Sequence, residues 1–236
     1  MAEPIRLLLT DQQIPYDDHR VDNLKFFHIS FNILAFKQFG QVPCLYDDNE
    51  QIVQSGAILR HLARKHGAYV STTFCCFVRR LYLQEFELRI GLNGSTEMET
   101  TYADMFYEGI RDLHTKYCKM IYNAYMGGSY YRFLVLKETE KDSFIKEILP
   151  DELAKLEKLL ISRNGGEGFV LGDKICFTDY VLFEELDIQL ILTKDALEKF
   201  PSLKSFHKRM SERPHLKDYL KKRHSANVPV NGNGKQ

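Results

Sequence analysis

The chain has 236 residues, 44% of them hydrophobic and 27% charged, enough for one large or two modest domains with an ordinary core. Basic and acidic residues balance at 32 each, which excludes a bulk field attracting nucleic acid or acidic lipid. No uncharged stretch approaches the ~20 residues of a membrane span, and the apolar run after Arg6 is too short for a signal peptide. The five cysteines, Cys44, Cys75, Cys76, Cys118 and Cys176, are odd in number and irregular in spacing, which argues for reduced thiols rather than a disulfide framework. Cys75-Cys76 lacks the C-x-x-C spacing and none of the eight histidines falls into H-E-x-x-H, so no metal is expected.

In chain order, residues 3–10 read as a helix with Ile5, Leu8 and Leu9 on one face and Pro4 in its first turn. Residues 19–21 are a short strand candidate. Residues 44–46 and 51–53 form a hairpin around Asp47-Asp48-Asn49-Glu50, and a helix over 55–65 opens on Ser55 as N-cap. This mixture predicts an α/β region. From Glu97 the pattern is wholly helical. Tyr102, Met105, Gly109, Leu113, Met120 and Ala124 fall mostly at three- and four-residue spacings, the mark of one long amphipathic helix. Leu153, Leu156, Leu159 and Leu160 mark a helix over 144–162 interrupted by Pro150. Asn164-Gly165-Gly166 is a loop, Gly172-Asp173 a turn, and helices follow at about 177–191 and 202–222. The cations Lys221-Lys222-Arg223-His224 read as dipole partners at a helix end rather than a binding patch.

The most informative run is Gly40-Gln41-Val42-Pro43-Cys44-Leu45, a short strand behind an X-Pro bond, with Gln54-Ser55 opening the next helix. A helix start offers free N–H groups and a positive dipole end to a carboxylate, and a strand edge accepts an extended peptide through main-chain hydrogen bonds. A small peptide with an anionic end is the natural ligand.

Both segments resemble the glutathione site of cytosolic glutathione transferases, and the ending Asn227-Val-Pro-Val-Asn-Gly-Asn-Gly-Lys-Gln236 is similar to the pi class in its nematode form. The resemblance implies an α/β plus all-α fold: a thioredoxin-like, glutathione-binding domain over 1–67 and an all-helical domain over 92–236. It implies glutathione as substrate with no cofactor, small hydrophobic electrophiles as co-substrates, and a cytoplasmic, homodimeric detoxifying enzyme. Carried over residue by residue, Val42 pairs its backbone with the cysteinyl unit of glutathione, Pro43 is cis, and Gln41 lies beside them. Gln54 and Ser55 hold the γ-glutamyl carboxylate, and Asp112 reaches the amino group from the partner subunit. Cys118 and Tyr122 match positions lining the electrophile pocket, Gly232 a backbone position near it, and Phe39 an aromatic key for the other subunit. Taken singly, Gln41 reads as a solvated strand residue, Ser55 as a plain N-cap, and Cys118 and Tyr122 as helix core; the specific signal is Gln41-Val-Pro with Gln54-Ser55 at this interval. The family's lysine contact falls on Leu34 or Lys37, and its tryptophan contact is missing because the chain has no Trp.

The chain departs from the family at several places. The segments 68–91 and 126–137 read as insertions, and 23–36 also loses the family pattern. All three are rich in aromatic residues without settled periodicity. Retained non-coding sequence is the favoured reading, a divergent partner surface the second, and membrane anchoring through 68–91 the third, which Arg79 and Arg80 disfavour. The helix near 177 keeps Asp179 and the staple pair Ile175 and Tyr180, but its cap is Cys176; a thiol accepts poorly, at a cost of about 1 kcal/mol. Residues 2–8 resemble the first helix of the fold, so the preceding strand, whose tyrosine hydroxyl hydrogen-bonds the glutathione sulfur in the pi class, is expected to be missing. On that expectation no catalytic residue is present, and the chain conjugates poorly. Two other functions fit the same fold: a non-catalytic glutathione or hydrophobic-ligand binder, and a homodimeric scaffold.

Overall fold

A computed structural model describes residues 2–20, 42–66, 91–123, 140–226 and 230–231. Helix α1 (Glu3–Asp11) starts with Pro4 in its first turn, where a missing N–H costs nothing, and buries Ile5, Leu7, Leu8 and Leu9. Strands β1 (Cys44–Asp47) and β2 (Glu50–Val53) pair antiparallel, Cys44 opposite Val53 and Asp47 opposite Glu50. Asp48, in the left-handed region at φ 53°, makes the tight turn between them, a conformation Asp tolerates better than most residues. Helix α2 (Ser55–His66) follows, with Ile58, Leu59, Leu62 and Ala63 inward.

Helix α3 (Glu97–Asn123) is the long amphipathic helix. A π-helical turn, Phe144–Ile148, runs into α4 (Leu149–Ile161), whose first turn holds Pro150. Residues 140–161 are helical without a break, and the π-helical turn, whose Leu149 N–H reaches back to the Phe144 carbonyl, lies immediately before Pro150, which has no N–H to give. A 3-10 turn, Asn164–Gly166, and a Phe169–Gly172 bridge lead to α5 (Phe177–Leu192). Helices α6 (Pro201–Ser211) and α7 (Pro214–Ser225) end the described helical region.

Two expectations need correcting. The candidate strand at 19–21 is not formed at His19 and Arg20, while Val21 lies outside the described residues. Asp18 is instead drawn to Arg6 of α1 at 3.0 Å and to Arg20 at 2.8 Å, which ties this segment to a helix rather than to a ladder. The single helix expected over 202–222 is two helices, because Pro214 cannot donate to the i−4 carbonyl and restarts the chain at its own N-terminus. The segments 23–36 and 126–137, and all of 68–91 except Gly91, lie outside the described residues.

Helix α5 is the central element, buried on nearly every side, Phe177, Tyr180, Leu182 and Leu186 included. Its start is held by Asp179, which accepts the Cys176 N–H at 2.7 Å and the Val170 N–H at 2.8 Å. The capping box therefore closes despite the thiol, with the carboxylate supplying the strong half. Burial pushes the Asp179 carboxyl up to about 6 against the pull of these donors. Ile175 and Tyr180 both pack into the core, as the staple requires.

Helix α1 is clamped to the helical region at both ends. Near its C-terminus the buried Asp11 accepts the Tyr180 hydroxyl at 2.6 Å and the Arg213 Nε–H at 2.7 Å. Near its N-terminus Glu3 accepts the Tyr219 hydroxyl at 2.5 Å. Arg223 makes a two-pronged pair with Glu184 at 2.6 and 3.0 Å beside it. No helix among the described residues is long and apolar enough to cross a membrane.

Candidate glutathione and electrophile site

Three elements build the first half of the site. The β1–β2 hairpin is braced on α2 by Asp47, which takes His61 and Lys65, each at 2.6 Å. The Val42–Pro43 peptide is cis, and Val42 stands 45% exposed just ahead of β1. Val42 thus stands at the surface, where an extended peptide could reach this edge. At the other end of the hairpin, the chain turns from β2 into α2 through Gln54, at φ 72°. A left-handed conformation costs a non-glycine residue about 1–2 kcal/mol and persists where the surroundings over-determine it.

The Gln54 carbonyl accepts the Ile58 N–H at 3.0 Å, the first intrahelical bond of α2. Gln54 is thus the cap and Ser55 the first helical residue, which corrects the assignment of Ser55 as N-cap. The chemistry at this end is unchanged. The opening N–H groups of a helix, here those of Ser55, Gly56 and Ala57, have no intrahelical acceptor and lie at the positive end of the dipole. Gln54 is exposed and Ser55 half-buried beside them. A carboxylate set here meets backbone donors, a hydroxyl and an amide together.

The position of this helix start is dictated from below. Gly56 packs on Tyr107 of α3 so closely that a Cβ there would lie 2.5 Å from the phenolic oxygen. Tyr107 is itself buried and carries the Arg60 guanidinium 4.5 Å above its ring. Arg60 then reaches Asp104 at 2.7 Å and Glu108 at 3.1 Å, so α2 is pinned on α3 by packing and by charge.

Asp104, Glu108 and Asp112 are spaced by four residues and share one face of α3. Asp112 is exposed, and within the protomer its charge acts on Lys155 of α4. Further along α3, Cys118 is half-buried against the core and Tyr122 is exposed one turn later. The chain returns to this end of α3 near its C-terminus: Val230 packs on the core, and the buried Asn231 donates to the Tyr117 hydroxyl at 2.7 Å. Gln41, Phe39 and Gly232, together with Leu34 and Lys37, lie outside the described residues.

One group beside Cys118 escaped the sequence reading. His114 sits one turn earlier on α3, and its Nδ1 lies 2.8 Å from Glu185 of α5. Burial opposes the imidazolium, but the hydrogen bonds and charges of Cys118 and Glu185 win, and His114 is raised to about 9. The four-residue spacing of His114 and Cys118 was open to view; Glu185, 71 residues away, was not.

Comparison with known proteins agrees with this geometry. Residues 1–64 match the family model "Glutathione S-transferase, N-terminal domain" and residues 111–223 match "Glutathione S-transferase, C-terminal domain". A glutathione S-transferase of Dirofilaria immitis is 52% identical over the whole chain, which spans 94% of that protein. Glutathione S-transferase P of Caenorhabditis elegans is 51% identical over the same extents. The solved structure of the Onchocerca volvulus pi-class glutathione S-transferase superposes with a TM-score of 0.79 at 53% identity, covering 100% of this chain and 94% of that one.

Proposed function

Because the chain belongs to the glutathione S-transferase family, in its pi class, we propose that it binds glutathione between the Val42–Pro43 edge and the start of α2 and transfers it to small hydrophobic electrophiles. The observation that carries this reading is the pairing of an exposed edge with a capped helix start across one hairpin. Gln41 and the Val42 main chain take the extended peptide, Gln54 and Ser55 its γ-glutamyl carboxylate, and Asp112 of the opposite subunit its amino group. Glutathione reacts as the thiolate: a sulfur lone pair forms the new bond to an electrophilic carbon, and a leaving group departs or a π pair shifts. Cys118, Tyr122 and Gly232 line the side on which the electrophile enters.

On this reading the glutathione-binding domain spans 1–67 and the helical domain 92–236, with 68–91 and 126–137 as additions. The active unit is a homodimer, since Asp112 completes the site only across a subunit boundary, and its compartment is the cytoplasm. Glutathione is a substrate, and the reaction calls for no metal.

Retention on immobilised glutathione tests the reading. The chain is expected to be retained and eluted by free glutathione, and the double variant Q54A/S55A to pass through. Failure of the unaltered, folded chain to bind overturns the assignment. Conjugation of an aryl halide then separates a transferase from a protein that only binds: product above the uncatalysed background supports transfer, and binding with no product favours the binder.

A further inference from the structure

The chain carries the Asn-Gly steps Asn93-Gly94, Asn164-Gly165, Asn231-Gly232 and Asn233-Gly234. Such a step is a chemical weak point, because glycine has no Cβ to keep its own nitrogen from reaching the side-chain carbon of the asparagine before it. Whether it reacts depends on how freely the two residues open and turn toward each other. Gly232, Asn233 and Gly234 lie outside the described residues.

The structure holds Asn93, Asn164 and Asn231 very differently. Asn93 is half-buried, and the nitrogen that would attack it, that of Gly94, donates to the Gly91 carbonyl at 3.0 Å. Gly94 is also hemmed in: a Cβ there would lie 2.8 Å from Glu99 Cβ and 3.0 Å from the Thr100 nitrogen. Asn231 is buried, and its amide donates to the Tyr117 hydroxyl at 2.7 Å. Asn164 is exposed at φ 46°, and Gly165, at φ 62°, has no non-neighbouring atom within 4 Å of where a Cβ would stand. A single turn holds this step, closed by the Gly166 N–H on the Arg163 carbonyl at 2.9 Å and the Glu167 N–H on the Asn164 carbonyl at 3.1 Å. The Asn164 amide donates to Asp173 at 3.0 Å, at the surface. Opening one surface turn costs far less than opening a packed core.

We propose that Asn164 is a site of spontaneous modification, converted by water to aspartate and isoaspartate. The Gly165 nitrogen gives up its proton and bonds to the Asn164 side-chain carbon; the amide nitrogen leaves as ammonia, and a cyclic imide remains. Water then adds to one of the two imide carbonyls and opens the ring. Opening on one side leaves aspartate in the ordinary main chain, and on the other the main chain runs through the former side chain as isoaspartate. The balance is one water consumed and one ammonia released, with no oxidant and no catalyst. Aspartate sets a carboxylate where the amide had donated to Asp173, so a hydrogen bond becomes a like-charge contact. Isoaspartate lengthens the turn on which Arg209 docks through the Gly166 and Gly168 carbonyls, at 3.2 and 2.6 Å. The connection between α4 and α5 thus gathers charge and slack as the protein ages, independently of the transferase reading.

The experiment incubates the full chain, folded and unfolded in guanidinium chloride, in heavy-oxygen water at neutral pH. Peptide mass spectrometry follows the amide-to-acid mass gain at each asparagine, and an isoaspartyl methyltransferase with labelled S-adenosylmethionine detects isoaspartate. Unfolding makes the steps chemically alike, so the ratio of folded to unfolded rate isolates the structure. Asn93 and Asn231 are expected to slow by more than about tenfold on folding, and Asn164 by less than about threefold. Gly165→Ala places a Cβ in open space in the fold but beside the attacking nitrogen, and is expected to slow Asn164 by about tenfold even in the unfolded chain. Methyl acceptance is expected in the Asn164 peptide. Protection of Asn164 equal to that of Asn93 and Asn231 overturns the proposal. So does a Gly165→Ala chain reacting at the parent's rate, or aspartate formed without isoaspartate, which would mean direct hydrolysis. If the strained variant does not fold, its unfolded rate still reads the chemistry and the parent's ratio decides.

Discussion

Gly56 is where packing, helix start and ligand site meet, and replacing it with alanine sets two known effects against each other. Alanine in place of glycine favours a helix by up to about 1 kcal/mol, less near an end. Against this, the new Cβ would stand 2.5 Å from the Tyr107 hydroxyl oxygen and 3.0 Å from both Tyr107 Cζ and an Arg60 nitrogen. The ring cannot swing away cheaply. It is 5% exposed, packed 5.9 Å from the Phe177 ring and covered by Arg60. Overpacking of this kind costs about 1–3 kcal/mol, so the balance is a net loss of about 1 kcal/mol. Because the shift falls on the residue after Ser55, glutathione retention is expected to weaken as well. Urea denaturation of the parent, Gly56→Ala, Tyr107→Phe and the double variant makes the test. Removing the phenolic oxygen removes the closest contact, so the pair is expected to couple favourably by about 1 kcal/mol, above the roughly 0.5 kcal/mol of simple additivity. A Gly56→Ala protein as stable as the parent, or a coupling of zero, refutes the argument that Tyr107 sets the position of α2.

Asp179→Ala leaves the buried N–H groups of Val170 and Cys176 without their acceptor, and an expected loss of about 2–4 kcal/mol is read from the same denaturation curves. A loss below about 1 kcal/mol would mean that the box is not what holds the start of α5. His114 gives a pH dependence with a definite sign. Its folded value of about 9 lies above the usual 6.5, so its stabilisation is complete below about pH 6.5 and is lost as pH rises through 9. Between pH 7 and 8.5 the parent is expected to lose stability more steeply than His114→Gln, by up to about 1.4 kcal/mol per unit; equal slopes would show that the histidine is not charged in the folded protein.

Local signals were strong enough to read much of this protein from its residues alone. The hairpin over 44–53, the helices at α1 and α2, the long α3 and the Asp179 box follow from alternation, three-and-four spacing and capping chemistry, all of which act within a few residues. The juxtaposition of Val42-Pro43 with Gln54-Ser55 was legible for the same reason, since one tight hairpin joins them. The break at Pro214 was equally local but was overridden by the apolar spacing of 202–222, a case in which the missing N–H outweighs periodicity. What only the tertiary structure decided comes from residues far apart in the chain. Tyr107 sets how near α2 approaches α3, Asp11 is buried because Tyr180 and Arg213 arrive to satisfy it, and Glu185 comes from α5 to hold the His114 ring at 2.8 Å. Such contacts depend on which helices pack together, and packing is chosen by the whole apolar surface of the chain rather than by the spacing of residues within any one segment.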